Sequence, residues 1–240
     1  MTPSTPRILV LTTSHARLGA TGKPTGVWLE ELALPMHWLA EQGAVISLAS
    51  VAGGVIPLDP ASLPPADAPH SDPRRRFLRE HSALLADSPA VAEVRADSFD
   101  ALLLPGGHGT VWDLPDGAAP LVEAFYAAGK PIAAVCHGPA GLVGARRPDG
   151  QPIVSGLRVN AFTDHEERLA GLDHVVPFLL ESRLSALGAR FEAGAAWAPY
   201  CTQDVGGSGS VIITGQNPAS SAAVAQALWA TLAGGQRPAA

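Results

Sequence analysis

Cysteine is scarce in this chain. Cys136 and Cys201 are the two present in 240 residues, too few for a disulfide framework. They could pair only if the fold brought them together, so free thiols in a cytoplasmic protein are the expectation. No apolar run approaches the ~20 residues of a membrane span. The opening MTPSTPRILVL lacks the apolar core and small-residue cleavage site of a secretory leader. Charge is sparse as well: 16% of residues are charged, with a net charge of -6 and neither a basic stripe nor an acidic tail. Nucleic acid and membrane are therefore not expected partners. The one basic cluster, Arg74, Arg75, Arg76 and Arg79, reads as the solvated face of a helix. Paired CxxC motifs, and histidines four apart around a carboxylate, are both missing, so no metal site is expected. The glycine patterns that cradle dinucleotides or nucleoside phosphates are missing too. No cofactor is expected.

What remains is an apolar chain, 47% hydrophobic, long enough to bury one sizeable core. The runs RILVLTT (7–13), AVISLAS (44–50), DALLLPGG (100–107), PIAAVC (131–136) and VIITG (211–215) read as short buried strands, with RVNAFT (158–163) a further candidate. Between them lie helical patterns. VWLEELALPMHWLAEQG carries apolar residues at Leu29, Leu32, Ala33, Met36 and Leu39, with Pro35 set to kink it. SDPRRRFLREHSALLAD opens on Asp72 as cap and Pro73 in the first turn. APLVEAFYAAGK, PFLLESRLSALG and NPASSAAVAQALWATLAGG follow, and DVGGSGS (204–210) reads as a surface turn. Sustained βα alternation predicts an α/β protein: a flavodoxin-like, doubly wound, mostly parallel sheet with helices on both faces. The chain (1–240) reads as one domain, with residues 53–98 a loop-and-helix insertion near the site and 232–240 a flexible tail.

In such sheets ligands collect at the carboxyl ends of the strands. Two motifs sit there, PGGHG (105–109) and CHGP (136–139). Cys136 ends a strand and precedes a short helix beginning near Pro139. On a strand-to-helix elbow its sulfur would stand above the sheet, with helix-start amides and His137 favouring the thiolate. A buried structural cysteine is the plain alternative. Glu30 borders the apolar stripe of the first helical pattern, where partial burial would raise its pKa. Glu31 is the competing position. Gly106 and Gly107 allow a tight turn and close approach to a ligand. His108 could line a pocket or simply hydrogen-bond a neighbouring loop. Trp28 and Trp112 adjoin these motifs and are candidates for pocket walls.

TGVWLEELALPMHWL, LASVAGGVIPLDPASL, PGGHGTVWDLPD, AAVCHGPAGL, AFTDHEE and TGQNPASS occur in order along nearly the whole chain. Together they resemble the ThiJ/PfpI group of the class I glutamine amidotransferase-like superfamily, in particular its glutathione-independent glyoxalase (D-lactate dehydratase) and stress-chaperone branch. The resemblance implies Cys136 as nucleophile, His137 as its acid/base partner and Glu30 as the carboxyl against the sulfur. It implies Glu167 as the acid that orients the histidine, with Glu166 the close rival. The Gly107 and His137 amides become the oxyanion donors. The implied substrate is a small 2-oxoaldehyde, with methylglyoxal converted to D-lactate and no cofactor needed. A homodimer is the implied assembly. An amidase acting on C–N bonds, a holdase chaperone and a redox sensor are the alternatives the same branch leaves open.

Overall fold

The computed structural model describes residues 5–235. Six strands form one sheet: β1 (Arg7–Thr12), β2 (Val45–Ser50), β3 (Ala101–Leu104), β4 (Ile132–Val135), β7 (Cys201–Val205) and β8 (Val211–Gly215). Their order across the sheet is β2-β1-β3-β4-β8-β7. All neighbours are parallel except β7 and β8. The first four strands follow the doubly wound order in which the chain reverses direction between β1 and β3, and β8 continues it.

Alternation along each strand explains why both faces are covered. Ile8, Val10, Ala101, Leu103, Ala133 and Val135 pack into one apolar cluster, which takes in α1 (Leu29–Glu41) and α8 (Ser221–Gly235). Their neighbours Leu9, Leu11, Leu102, Leu104, Ile132 and Ala134 enter the other. That cluster is closed by α4 (Thr110–Gly117) and α5 (Ala119–Ala127). A residue step of two along a strand returns a side chain to the same face, so each strand feeds both cores.

Several segments depart from the sequence reading. The 71–87 pattern splits at His81 into α2 (Pro73–Glu80) and α3 (Ser82–Ala86), although Asp72 caps it as expected by accepting from the Arg74 N–H. Residues 110–117, read only as part of a motif, form α4. The 158–163 run shrinks to β5 (Arg158–Val159), which pairs with β6 (Arg190–Phe191) in a separate two-stranded sheet. Beyond Val159 the chain instead serves the main sheet: the Asn160 N–H donates to Thr214 Oγ1 at 2.8 Å and the Phe162 N–H to the Cys136 carbonyl at 2.8 Å. The 204–210 segment is not all turn, because Asp204 and Val205 complete the antiparallel edge strand β7. The 232–240 tail also needs correction, since α8 runs to Gly235; residues 236–240 lie outside the described residues. α6 (Asp164–Ala170) and α7 (Leu180–Ala186) complete the helices.

Residues 53–98 are tied to the core rather than draped over it. Ile56, Phe77 and Leu85 all enter the cluster beneath α1, and Phe77 is fully buried. Phe77→Ala should therefore lower the free energy of unfolding by about 3–5 kcal/mol, read by urea denaturation with an unchanged m-value. A loss below about 1 kcal/mol, the range of surface substitutions, would show the segment to be loosely attached.

Candidate active site

The elbow after β4 turns on a single backbone angle. Cys136 has φ 58°, a left-handed conformation that costs a non-glycine residue about 1–3 kcal/mol. Its neighbours hold it there from both sides. The Cys136 N–H donates to the Gly215 carbonyl at 2.8 Å, while its own carbonyl accepts from Phe162. A 3₁₀ turn, Gly138–Leu142, follows directly. This reversal lets two consecutive side chains meet: Cys136 Sγ lies 3.4 Å from His137 Nδ1.

Glu167 fixes the histidine. His137 Nε2 lies 2.8 Å from Glu167 Oε2, and His108 Nε2 lies 3.0 Å from Glu167 Oε1. Burial lowers the pKa of His137, as does the His108 ring beside it, so the imidazole is neutral at pH 7. Burial would raise the Glu167 carboxyl, but its contacts with His137 and His108 outweigh that and hold it below the ordinary carboxylate range. An ionised Glu167 only accepts, so the His137 proton sits on Nε2 and the lone pair of Nδ1 faces the sulfur.

Glu166 has a different duty. It closes the capping box of α6 with Thr163, and its Oε1 accepts from the Trp197 N–H at 2.8 Å and Asn217 Nδ2 at 2.9 Å. The rivalry between adjacent acids thus resolves geometrically: Glu167 meets the histidines and Glu166 braces the loops around them.

At the other pair of acids the geometry corrects the expectation. Glu30 is exposed, whereas Glu31 is fully buried; its carboxyl lies beside Cys136, with Oε1 buried and without a hydrogen-bond partner among the described residues. The buried face of α1 is broader than the stripe of leucines suggested, for it includes Pro35, one turn beyond Glu31. Desolvation raises the Glu31 pKa to about 8, against the lowering effect of the neighbouring Cys136 and of the Gly106 amide. Glu31 is thus a neutral acid at pH 7. Burial also pushes the Cys136 thiol up, and the Glu31 carboxyl adds to that; the His137 amide opposes it. The resting sulfur is a thiol with a base beside it, not the preformed thiolate expected of a helix start.

The two glycines also part company. The Gly106 N–H donates to Glu31 Oε2 at 2.8 Å, which removes it as an oxyanion donor. A Cβ at Gly106 would come within 2.6 Å of the His137 nitrogen, so the close approach itself demands glycine. Gly107 takes φ 109°, and its N–H meets no acceptor among the described residues. Thr110, which the motif reading passed over, ties the two loops: its Oγ1 lies 2.8 Å from the Gly107 carbonyl and 3.1 Å from that of His137.

These groups open onto a cavity of about 490 Å³ lined mainly by carbon. Gly107, His108 and Trp28 border it, together with Asp59, Pro60 and Ala61 from the 53–98 segment. Phe162 and Trp197 border it too, and neither was singled out as a site residue. Trp112 stacks on His15 instead, with centroids 5.0 Å apart, and does not line the cavity. Cys201 is a free thiol in β7, as Cys136 is free at the elbow. Among the described residues, two sets of possible metal ligands have donor atoms within 4.8 Å of one another: His108, His137 and Glu167, and, away from the cavity, His37, Glu80 and His81. The first set is already committed to mutual hydrogen bonds. The second joins residues 37 and 80–81 across two helices, which no local spacing could reveal. No helix among the described residues is long and apolar enough to cross a membrane.

A cysteine on a left-handed elbow at the carboxyl end of a parallel sheet, with a tautomer-fixed histidine and a neutral buried acid, defines a cysteine-dependent α/β enzyme. The chain belongs to the DJ-1/PfpI family, whose model matches residues 25–170. A glutathione-independent glyoxalase of Saccharomyces cerevisiae is 29% identical over 224 residues, covering 89% of this chain and 92% of that protein. Glyoxalase 3 of Candida albicans is 26% identical over 230 residues, covering 91% and 94%. Among solved structures, the Rapid Encystment Protein of Francisella tularensis superposes with a TM-score of 0.88 at 34% identity, covering 95% of this chain and 99% of that one.

Because folding raises the Glu31 pKa, the native state holds that proton more tightly than the unfolded chain. The resulting stability is fully present below the ordinary value of 4.5 and is lost as pH rises through about 8. Melting curves between pH 5 and 8 should therefore fall more steeply for the wild type than for Glu31→Gln. Parallel curves would mean that Glu31 is ionised in the native protein.

Proposed function

We propose that the protein is a glutathione-independent glyoxalase that converts methylglyoxal and water to D-lactate. The observation that carries this reading is the placing of Cys136 Sγ 3.4 Å from His137 Nδ1 beside the buried Glu31 carboxyl, which burial keeps neutral at pH 7. The chemistry needs a nucleophile and a group that can give a proton and then take one back. That combination is what the three residues offer. The glyoxalases among the relatives support the choice of substrate.

His137 Nδ1 takes the thiol proton as the sulfur adds to the aldehyde carbon. Glu31 gives its proton to the carbonyl oxygen, and the Gly107 N–H supports that oxygen while charge develops. The product is a hemithioacetal, CH₃–CO–CH(OH)–S–Cys136. Glu31, now a carboxylate, removes the hydrogen on the carbon bonded to sulfur while His137 passes its proton to the ketone oxygen, giving an enediol. Return of that proton from Glu31 to the neighbouring carbon, with the hydroxyl proton on the sulfur-bonded carbon passing to His137 Nδ1, forms a lactoyl thioester. One water then cleaves the carbon–sulfur bond, releasing lactate and restoring the thiol. The aldehyde carbon is oxidised and the ketone carbon reduced within one molecule, so no external oxidant or reductant enters. A thiol working this way suits the reducing cytoplasm, and assembly as a homodimer belongs to the same proposal.

The test is methylglyoxal consumption without glutathione, with chiral analysis of the lactate formed. The wild type should yield D-lactate and Cys136→Ala none. Glu31→Gln keeps a hydrogen-bonding side chain but cannot shuttle the proton, and should lower kcat by about 10²–10⁴-fold. Glu30→Gln, altering an exposed side chain, should retain near wild-type turnover. Absence of lactate from the wild type would overturn the reading, and retained activity in Glu31→Gln would overturn the role of Glu31.

A further inference from the structure

The cavity is larger than methylglyoxal requires. Clefts of about 300–1,000 Å³ enclose drug-sized ligands, and this one measures about 490 Å³, whereas methylglyoxal has only five heavy atoms. The unused space has a defined wall. The Phe162 ring lies 4.5 Å from the His137 ring, and the Trp197 ring meets Phe162 edge to face at 5.5 Å. This apolar path therefore begins at the imidazole beside Cys136 Sγ and leads away from it. Trp28, Leu18 and Leu172 border the same cavity. Lys23, also on its border, is exposed to solvent.

Trp197 has two properties that packing alone does not explain. It is 50% exposed, a state that leaves a large apolar surface in water. It also sits at φ 63°, the only non-glycine besides Cys136 with positive φ among the described residues. An exposed tryptophan in a strained conformation gains nothing for the core. Buried polar groups nonetheless hold it there. Its N–H is fixed by Glu166 Oε1, and Asn217 Nδ2 grips both that carboxylate and the Ala198 carbonyl at 2.8 Å. Strain maintained by surrounding structure at a cavity mouth is a mark of a functional constraint.

We infer that the Phe162–Trp197 wall receives the hydrocarbon arm of a 2-oxoaldehyde longer than methylglyoxal, and that Trp197 sets the preference for that arm. This rests on the glyoxalase reading and extends it to a substrate class: 2-oxoaldehydes bearing an unbranched, uncharged chain of several carbons. With the aldehyde carbon on Cys136 Sγ, the ketone substituent runs along Phe162 and covers the exposed Trp197 ring. Glu166 is a positioning residue in this arrangement, acting only through the Trp197 backbone.

The experiment is a homologous series from methylglyoxal to 2-oxohexanal and 2-oxooctanal, whose reacting carbonyls are electronically alike. Three added methylenes along this half-exposed wall should lower KM by at least about tenfold, the contribution of a single methylene fully enclosed in an apolar pocket, with kcat little changed. Trp197→Gly fits the backbone angle, so its Tm should not fall. It should raise KM for 2-oxohexanal by about tenfold and that for methylglyoxal by much less, flattening the series, whereas Trp197→Phe should keep part of the slope. Turnover of methylglyoxal with a flat or rising KM along the series would overturn the inference and leave the glyoxalase reading standing. An equal fall in kcat for every member in Trp197→Gly would also overturn it, because Trp197 would then support the catalytic loops rather than read the chain. No turnover of any member by the wild type would remove both.

Discussion

The left-handed turn at Cys136 is the constraint on which the rest of the site depends. With ordinary strand angles, the sulfur and the His137 ring would point to opposite faces of the sheet. At φ 58° the two side chains converge. That conformation survives because two backbone neighbours over-determine it, Gly215 accepting from its amide and Phe162 donating to its carbonyl. The same turn brings the His137 amide so close to Gly106 that only glycine fits there. The Gly106 amide in turn fixes Glu31. Fold and chemistry are thus coupled through the ends of β3 and β4, and the strain is offset by packing across both faces of the sheet.

Burial then distributes the protons. Glu31, Cys136 and His137 are all nearly inaccessible to water, so each favours its neutral form. Glu167 is the exception, since both of its oxygens face imidazoles. The result is a resting site with one fixed negative charge placed behind the histidine rather than beside the sulfur. That arrangement avoids a thiolate next to a carboxylate, two like charges that a dry site could not hold together. It also makes nucleophile formation depend on the arrival of an electrophile able to accept the proton from Glu31.

Much of this was legible in the sequence. Short apolar runs alternating with helical stripes gave the doubly wound sheet, because strands buried on both faces must be apolar throughout. The CHGP and PGGHG motifs located the elbow and its opposing loop because glycines at the carboxyl ends of strands permit a tight turn and close approach. What escaped depended on longer-range geometry. Glu30 and Glu31 differ by about 100° around α1, a distinction the leucine stripe blurred because the buried face is wide enough to include Pro35, one turn beyond Glu31. The amide of Gly106 was committed to a helix 75 residues earlier in the chain. β7 carries too few apolar residues to stand out, since an edge strand has one side toward solvent. Trp197 lies in a segment without periodicity, and only the fold brings it to Phe162.

The central claim is that the carboxyl beside the sulfur, Glu31, is uncharged at neutral pH. Infrared difference spectroscopy of wild type against Glu31→Gln measures this directly, through the carbonyl stretch of a protonated carboxylic acid. The account predicts that band in the wild type at pH 7, its absence from the variant, and its loss as pH rises through about 8. A carboxylate signature from Glu31 already present at pH 6 would contradict the account.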